Sequence, residues 1–195
     1  MTATPTGRRS AARERLLETA SRIFYASGIH AIAVDEVITA AEVSRATFYR
    51  HFPGKEDLVR AYLEGEDAAI RARVAEAAAL RAAPAELLKL LMLGIGDEIR
   101  GPGFRGCPFI NAAAEYPAPE HPVRRVVREH RTWFRGAVAG VLEATGHPEP
   151  AEGARELTLL RDGAMVGGYL EDAADVRASL IRAAEAVISA PWPAS

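Results

Sequence analysis

The sequence predicts an all-α protein of about nine helices, and three observations predict it. Ala, Leu, Arg and Glu dominate the 195 residues, whereas Thr, Val, Ile and aromatic residues are too scattered for a multistranded sheet. Apolar residues recur at three- and four-residue spacing along most of the chain. Between those periodic stretches lie Gly and Pro clusters of the kind that end helices.

Each element can be justified from that pattern. Met1 to Gly7, rich in Thr, Pro and Ala, has no apolar period and reads as a mobile arm ending in Arg8 and Arg9. The first helix is expected from about Ser10 to Ser27, with Leu16, Leu17, Ala20, Ile23 and Phe24 at helical spacing and Gly28 as its stop. A short second helix, Val34 to Ala41, should bury Val34, Val37, Ile38 and Ala41, and Asp35 and Glu36 suit the free N–H groups of its first turn. After a turn over Glu42 to Ser44, a third short helix should run from Arg45 to about His51, with Ser44 as its N-cap. Pro53-Gly54 breaks the chain. Helix four starts near Lys55, carries Leu58, Val59, Tyr62 and Leu63 on one face and continues to about Arg81, long enough to connect an N-terminal bundle to the C-terminal helices. Five more helices should cover about Pro84 to Arg100, Pro108 to Tyr116, Pro122 to Thr145, Pro150 to Leu170 and Ala173 to Ile188.

Charge and composition narrow the function classes. The net charge is −2, but residues 1–60 hold nine Lys/Arg against seven Asp/Glu while the remainder carries −4, a mild polarity that would orient the front of the molecule towards a polyanion. Cys107 is the single cysteine, so no intrachain disulfide forms; it reads as a small apolar core residue, with a redox sensor as the alternative. The richest apolar stretch, Leu87 to Ile95, is too short for a membrane span and carries Lys89, and the first ten residues lack a signal-peptide core. A cytoplasmic protein with no membrane partner is expected. His30, His51, His121, His130 and His147 show no metal-ligand spacing, so neither a metal nor another cofactor is expected. A small helical enzyme is the rival class, but no nucleophile elbow or phosphate loop supports it.

Two short helices joined by a tight turn, with a third helix across them, make a helix-turn-helix, whose second helix enters the DNA major groove. Its composition here fits that task. Ser44, Arg45, Thr47, Tyr49 and Arg50 alternate with apolar Ala46 and Phe48, so one side can pack while the other offers hydroxyl and guanidinium groups to phosphates and base edges. Lys55 opens the next helix, where its ammonium and free N–H groups suit a phosphate, and Arg8 and Arg9 could reach a neighbouring minor groove.

The stretch VDEVITAAEVSRATFYRHFPGKEDLVRAYL, residues 34–63, resembles the signature of the TetR (tetracycline repressor) family, and the similarity extends back to about residue 10. The resemblance implies that Arg45, Thr47, Tyr49 and His51 face DNA, that Phe52 pins the recognition helix to the core, and that Lys55 holds a phosphate. Two positions depart from the family pattern. Glu42 stands where a turn glycine is common, and Ala33 replaces a Thr or Ser cap. The segment RGCPFINAAAE, residues 105–115, resembles a recurring C-terminal subgroup of the family.

The resemblance further implies two domains: an arm and helix-turn-helix over 1–54, and a helical effector-binding and dimerisation domain over 55–195. A pseudo-palindromic operator in double-stranded DNA, a second copy of the chain and a small organic effector are the implied partners. Met92, Phe104, Phe109, Trp133, Phe134 and Tyr169 are the candidates for effector contact, with plain core packing as the alternative. Gly163, Ala164, Gly167 and Gly168 strip side chains from one side of the eighth helix, and with Leu157 and Leu160 they are the expected dimer contacts. Repression relieved by the effector is the expected mode; an effector-independent or activating regulator is the alternative.

Overall fold

The computed structural model describes the backbone of residues 5–189 and the side chains of residues 11–189. Among the described residues there are nine helices and no strand: α1 Pro5–Ser27, α2 Val34–Ala40, α3 Arg45–His51, α4 Lys55–Ala79, α5 Pro84–Ile99, α6 Pro108–Glu115, α7 Pro122–Ala144, α8 Pro150–Leu170 and α9 Ala173–Ser189. All nine fall where the periodicity puts them, except that α1 starts at Pro5 and not near Ser10. Proline, with φ already near the helical value and no N–H to satisfy, suits a helix start, and no apolar period announces this first stretch. Arg8 and Arg9 therefore lie on a helix and not in an irregular arm, and their side chains are outside the described residues.

The helices group into two compact units. One comprises the described residues up to 67 and residues 108–127: α1 to α3, the first half of α4, α6 and the start of α7. Its core is built from Leu16, Ala20 and Phe24 of α1, Val37 of α2, Phe48 of α3, Phe52, and Leu58, Val59 and Leu63 of α4, all essentially inaccessible to water. Burying a phenylalanine is worth about 1.5–3 kcal/mol relative to exposure, so Phe48 and Phe52 anchor a helix of only seven residues that would not persist alone. The Arg13 guanidinium lies over the Phe52 ring, 5.5 Å from its centroid.

The other unit comprises residues 68–107 and the described residues from 128 onward, in which α5, α8 and α9 pack mutually. Its core holds Leu88, Met92 and Ile99 from α5, Leu142 from α7, Leu157 and Met165 from α8, and Leu180 and Ala184 from α9. At Gly168 of α8 a Cβ atom would collide with Ile99 Cγ2, so α5 and α8 approach more closely than any side chain at 168 permits.

Candidate nucleic-acid interface

Helix α2 ends in a Schellman motif. The Val43 N–H donates to the Ile38 carbonyl (3.2 Å) and the Glu42 N–H to that of Thr39 (3.1 Å), which turns the chain sharply into α3. The geometry requires a left-handed residue, and Glu42 adopts it at φ +53°. This is the physical meaning of the departure at 42: a side chain stands where glycine is unstrained. Replacing Glu42 with glycine relieves that strain and is expected to raise stability by several tenths of a kcal/mol, after the greater freedom of glycine in the unfolded chain is subtracted. At the other end of α2, Ala33 has no acceptor to offer, although Glu36 Oε1 accepts the Ala33 N–H at 2.8 Å. Ala33→Ser completes the reciprocal pair and is expected to add ~0.5–1 kcal/mol. Thermal denaturation of the two single variants checks both.

Ser44 caps α3 as the sequence indicates: its Oγ accepts the Thr47 N–H at 3.1 Å and lies 2.9 Å from the Thr47 hydroxyl. Residues 46 and 48 are about 200° apart on a helix, so they cannot share a face. Phe48 is fully buried, whereas Ala46 is exposed and joins the polar side. That outer side presents Ser44, Arg45, Ala46, Tyr49 and Arg50, with Thr47 and His51 at its margins. Tyr49 is half exposed, its ring meeting the buried Phe48 edge-on at 5.1 Å. The Arg45 guanidinium bonds Asp35 of α2 at 2.6 Å, and Arg50 reaches the Thr47 hydroxyl at 3.3 Å. The Arg45–Asp35 pair is exposed on both sides, so it is worth at most ~1 kcal/mol and can be exchanged for another anion.

Lys55 sits half-buried at the first position of α4. Burial pulls its ammonium below the usual lysine value, while Glu115 and Glu36 oppose that shift. Glu115, at the end of α6, does more than this. It accepts the backbone N–H groups of Ile29 (2.8 Å) and His30 (2.5 Å), clasping the loop between α1 and α2 across 85 residues of chain. Tyr116 comes next in the chain, with its ring between those of His30 (4.8 Å) and His121 (4.6 Å). Its burial, with Glu56 and Glu115 near, pushes the phenol up to about 12, so it stays a neutral stacking partner. No one-dimensional signal points to Glu115. Glu115→Ala leaves two N–H groups without their acceptor and is expected to cost about 1–3 kcal/mol. Faster amide exchange at Ile29 and His30 in the variant checks this locally; unchanged exchange would show the clasp to be unimportant.

The other candidates distribute unevenly. Met92 and Phe134 are buried, and Phe104 and Trp133 half-buried, in the unit that holds α8 and α9, whereas Phe109 falls in the unit with α1 to α3. Tyr169 is about half exposed beneath the Arg105 guanidinium, 5.1 Å from its centroid. The six α8 positions do not share one face. Leu157 and Ala164 are buried in their own chain, Gly168 faces Ile99 and Gly167 faces Val176, while Leu160 is half-buried and Gly163 exposed. The close approach that these small residues suggest is largely internal, between α8 and its neighbours α5 and α9. No group of three or more potential metal ligands occurs among the described residues, and no helix there is long and apolar enough to cross a membrane.

Comparison with known proteins agrees with this geometry. The model of the bacterial regulatory proteins of the tetR family matches residues 16–62. Over nearly its whole length the chain is similar to a TetR-family transcriptional regulator from Streptomyces coelicolor, with 47% identity, a TM-score of 0.88 and coverage of 92% of this chain and 95% of that one. A TetR-type regulator from Streptomyces avermitilis is 29% identical with a TM-score of 0.75, covering 89% and 98% of the two chains. The HTH-type transcriptional regulator LmrA of Bacillus subtilis is 24% identical over 160 residues, 81% of this chain and 84% of that protein. These relatives are transcription regulators, not enzymes.

Proposed function

Since the chain belongs to the TetR family of DNA-binding transcriptional regulators, we propose that it acts as a homodimeric repressor whose residues 1–54 occupy a palindromic operator until an organic effector binds in the remainder. The observation that carries this reading is the division of α3 into a buried aromatic side and an outer side of hydroxyl and guanidinium groups. In the proposed complex α3 lies in the major groove. Arg45 takes a base edge once it exchanges Asp35, Thr47 and Tyr49 contact base or phosphate, and Ser44, Arg50 and His51 contact the backbone. Lys55 and the start of α4 hold a phosphate, and Arg8 and Arg9 approach the minor groove.

The proposed dimer covers an exposed apolar stripe of α8. Leu159, Gly163, Val166 and Leu170 recur on one face, and the two leucines are 69% and 70% exposed, an arrangement expected of a surface meeting its own copy. Two copies double the base pairs read, because one seven-residue helix spans only a few.

The test begins with selection of bound duplexes from a random library, followed by fluorescence anisotropy on the selected sequence and on a scrambled duplex of equal length. A symmetric selected site with affinity at least ~10³ above the scrambled duplex is expected; equal affinities would remove the reading. Adding candidate effectors to the same titration separates an effector-controlled repressor from a regulator without one, because a switch requires unequal effector affinity for the free and bound forms.

A further inference from the structure

The unit that holds α8 and α9 gathers more positive than negative charge at one partly buried point. Arg161 of α8 is 7% exposed, and its guanidinium bonds Asp162 Oδ1 at 2.9 Å. The same carboxylate accepts Arg131 of α7 at 2.6 Å through Oδ2. Two guanidinium groups thus share one carboxylate, and both remain charged at any physiological pH. The second terminal nitrogen of Arg161 meets the Cys107 sulfur at 3.2 Å, a weak acceptor for a buried cation. Aromatic surface adjoins the pair: Arg161 lies over Phe134, 5.7 Å from its centroid, and Trp133 stands 6.4 Å from Phe134, half-buried.

Two guanidinium groups against one carboxylate leave the cluster with a net positive charge, and apolar packing alone gives no reason to keep one. We propose that Arg161 and Arg131 form an anion site beside Trp133 and Phe134, and that the ligand of this regulator is an organic anion: a carboxylate or phenolate on a planar apolar body. The charged end supplies a second anion beside Asp162, and the guanidinium fork suits a carboxylate held by two parallel bonds. The planar body lies against the indole and phenyl rings. This assignment deepens the proposed effector control and rests on it for its biological meaning, although the binding itself is measurable without DNA.

The probes are naphthoate and its uncharged counterpart naphthalenemethanol, titrated calorimetrically into the full-length protein. Naphthoate is expected to bind at least about tenfold more tightly than the alcohol, the worth of one charge-assisted bond. Arg131→Gln, at a partly exposed position whose loss the fold tolerates more readily than that of Arg161, is expected to erase most of this preference. Equal binding of the two probes, or a preference that survives Arg131→Gln, overturns the proposal. So does a thiolate absorbance at neutral pH that disappears in Cys107→Ser, because the cluster would then supply its own anion. If naphthoate binds as expected but leaves operator affinity unchanged, the site stands and the effector reading falls.

Discussion

Arg45→Ala is expected to cost ~2–6 kcal/mol of operator affinity over the two half-sites of a dimer, with loss of preference at the base pair it reads. A loss of that size is what a bidentate reader of guanine contributes. The Asp35 contact, exposed on both partners, acts as a holding position that is released at small cost. Lys55→Ala should behave differently. A phosphate contact carries no sequence information, so the variant should lose affinity on every duplex and reduce the steepness of the salt dependence by roughly two for the dimer, about one per protomer. Salt titrations on cognate and scrambled DNA distinguish the two patterns. If Arg45→Ala lowers affinity equally on both duplexes, Arg45 touches phosphate and another residue of α3 reads the base. If neither variant differs from the parent, α3 does not enter the groove.

Gly168→Ala and Gly163→Ala, only five positions apart on α8, are expected to have opposite effects on the fold. A methyl group at 168 would collide with Ile99 Cγ2 and stand 3.1 Å from its Cβ, and Ile99 is itself buried and β-branched. Neither can yield without moving α5 from α8, so a loss of ~1–3 kcal/mol and a fall of several degrees in Tm are expected. At 163 a methyl group meets nothing within 4 Å of its own chain. There alanine should stabilise the folded protomer by ~0.5–1 kcal/mol through better helix propensity. In the proposed dimer, however, Gly163 lies on the stripe of Leu159, Val166 and Leu170, and added bulk should raise the dimer dissociation constant. Sedimentation equilibrium beside thermal denaturation separates these effects. A Gly163→Ala protein that dimerises like the parent would move the interface off this face of α8. A Gly168→Ala protein of parental stability would mean that α5 and α8 pack less closely than described.

Much of the recognition element is legible along the chain because its determinants are neighbours in sequence. Ser44 caps α3 through Thr47, three residues on, and the Gly28 and Pro53-Gly54 breaks delimit the short helices. The unusual Glu42 is visible as a departure from a family pattern, and its left-handed φ explains the departure. Helix α1 is less readable at its start, because Pro5 to Ser10 carries helix-compatible residues without an apolar stripe.

What sequence alone determined is therefore local: nine amphipathic or Ala-rich segments, their caps and breaks, and a family signature over residues 34–63. Hydrogen bonds and periods that span three or four residues leave a trace in composition and order. Tertiary structure alone decided that Glu115 clasps the loop at Ile29 and His30, that Arg131 and Arg161 share Asp162, and that Gly168 faces inward while Gly163 faces out. Each of these depends on which groups chain folding brings together from tens of residues apart, or on the rotation of one helix against its neighbours. A glycine on a helix shows only that a side chain is absent; what occupies the space is set by packing.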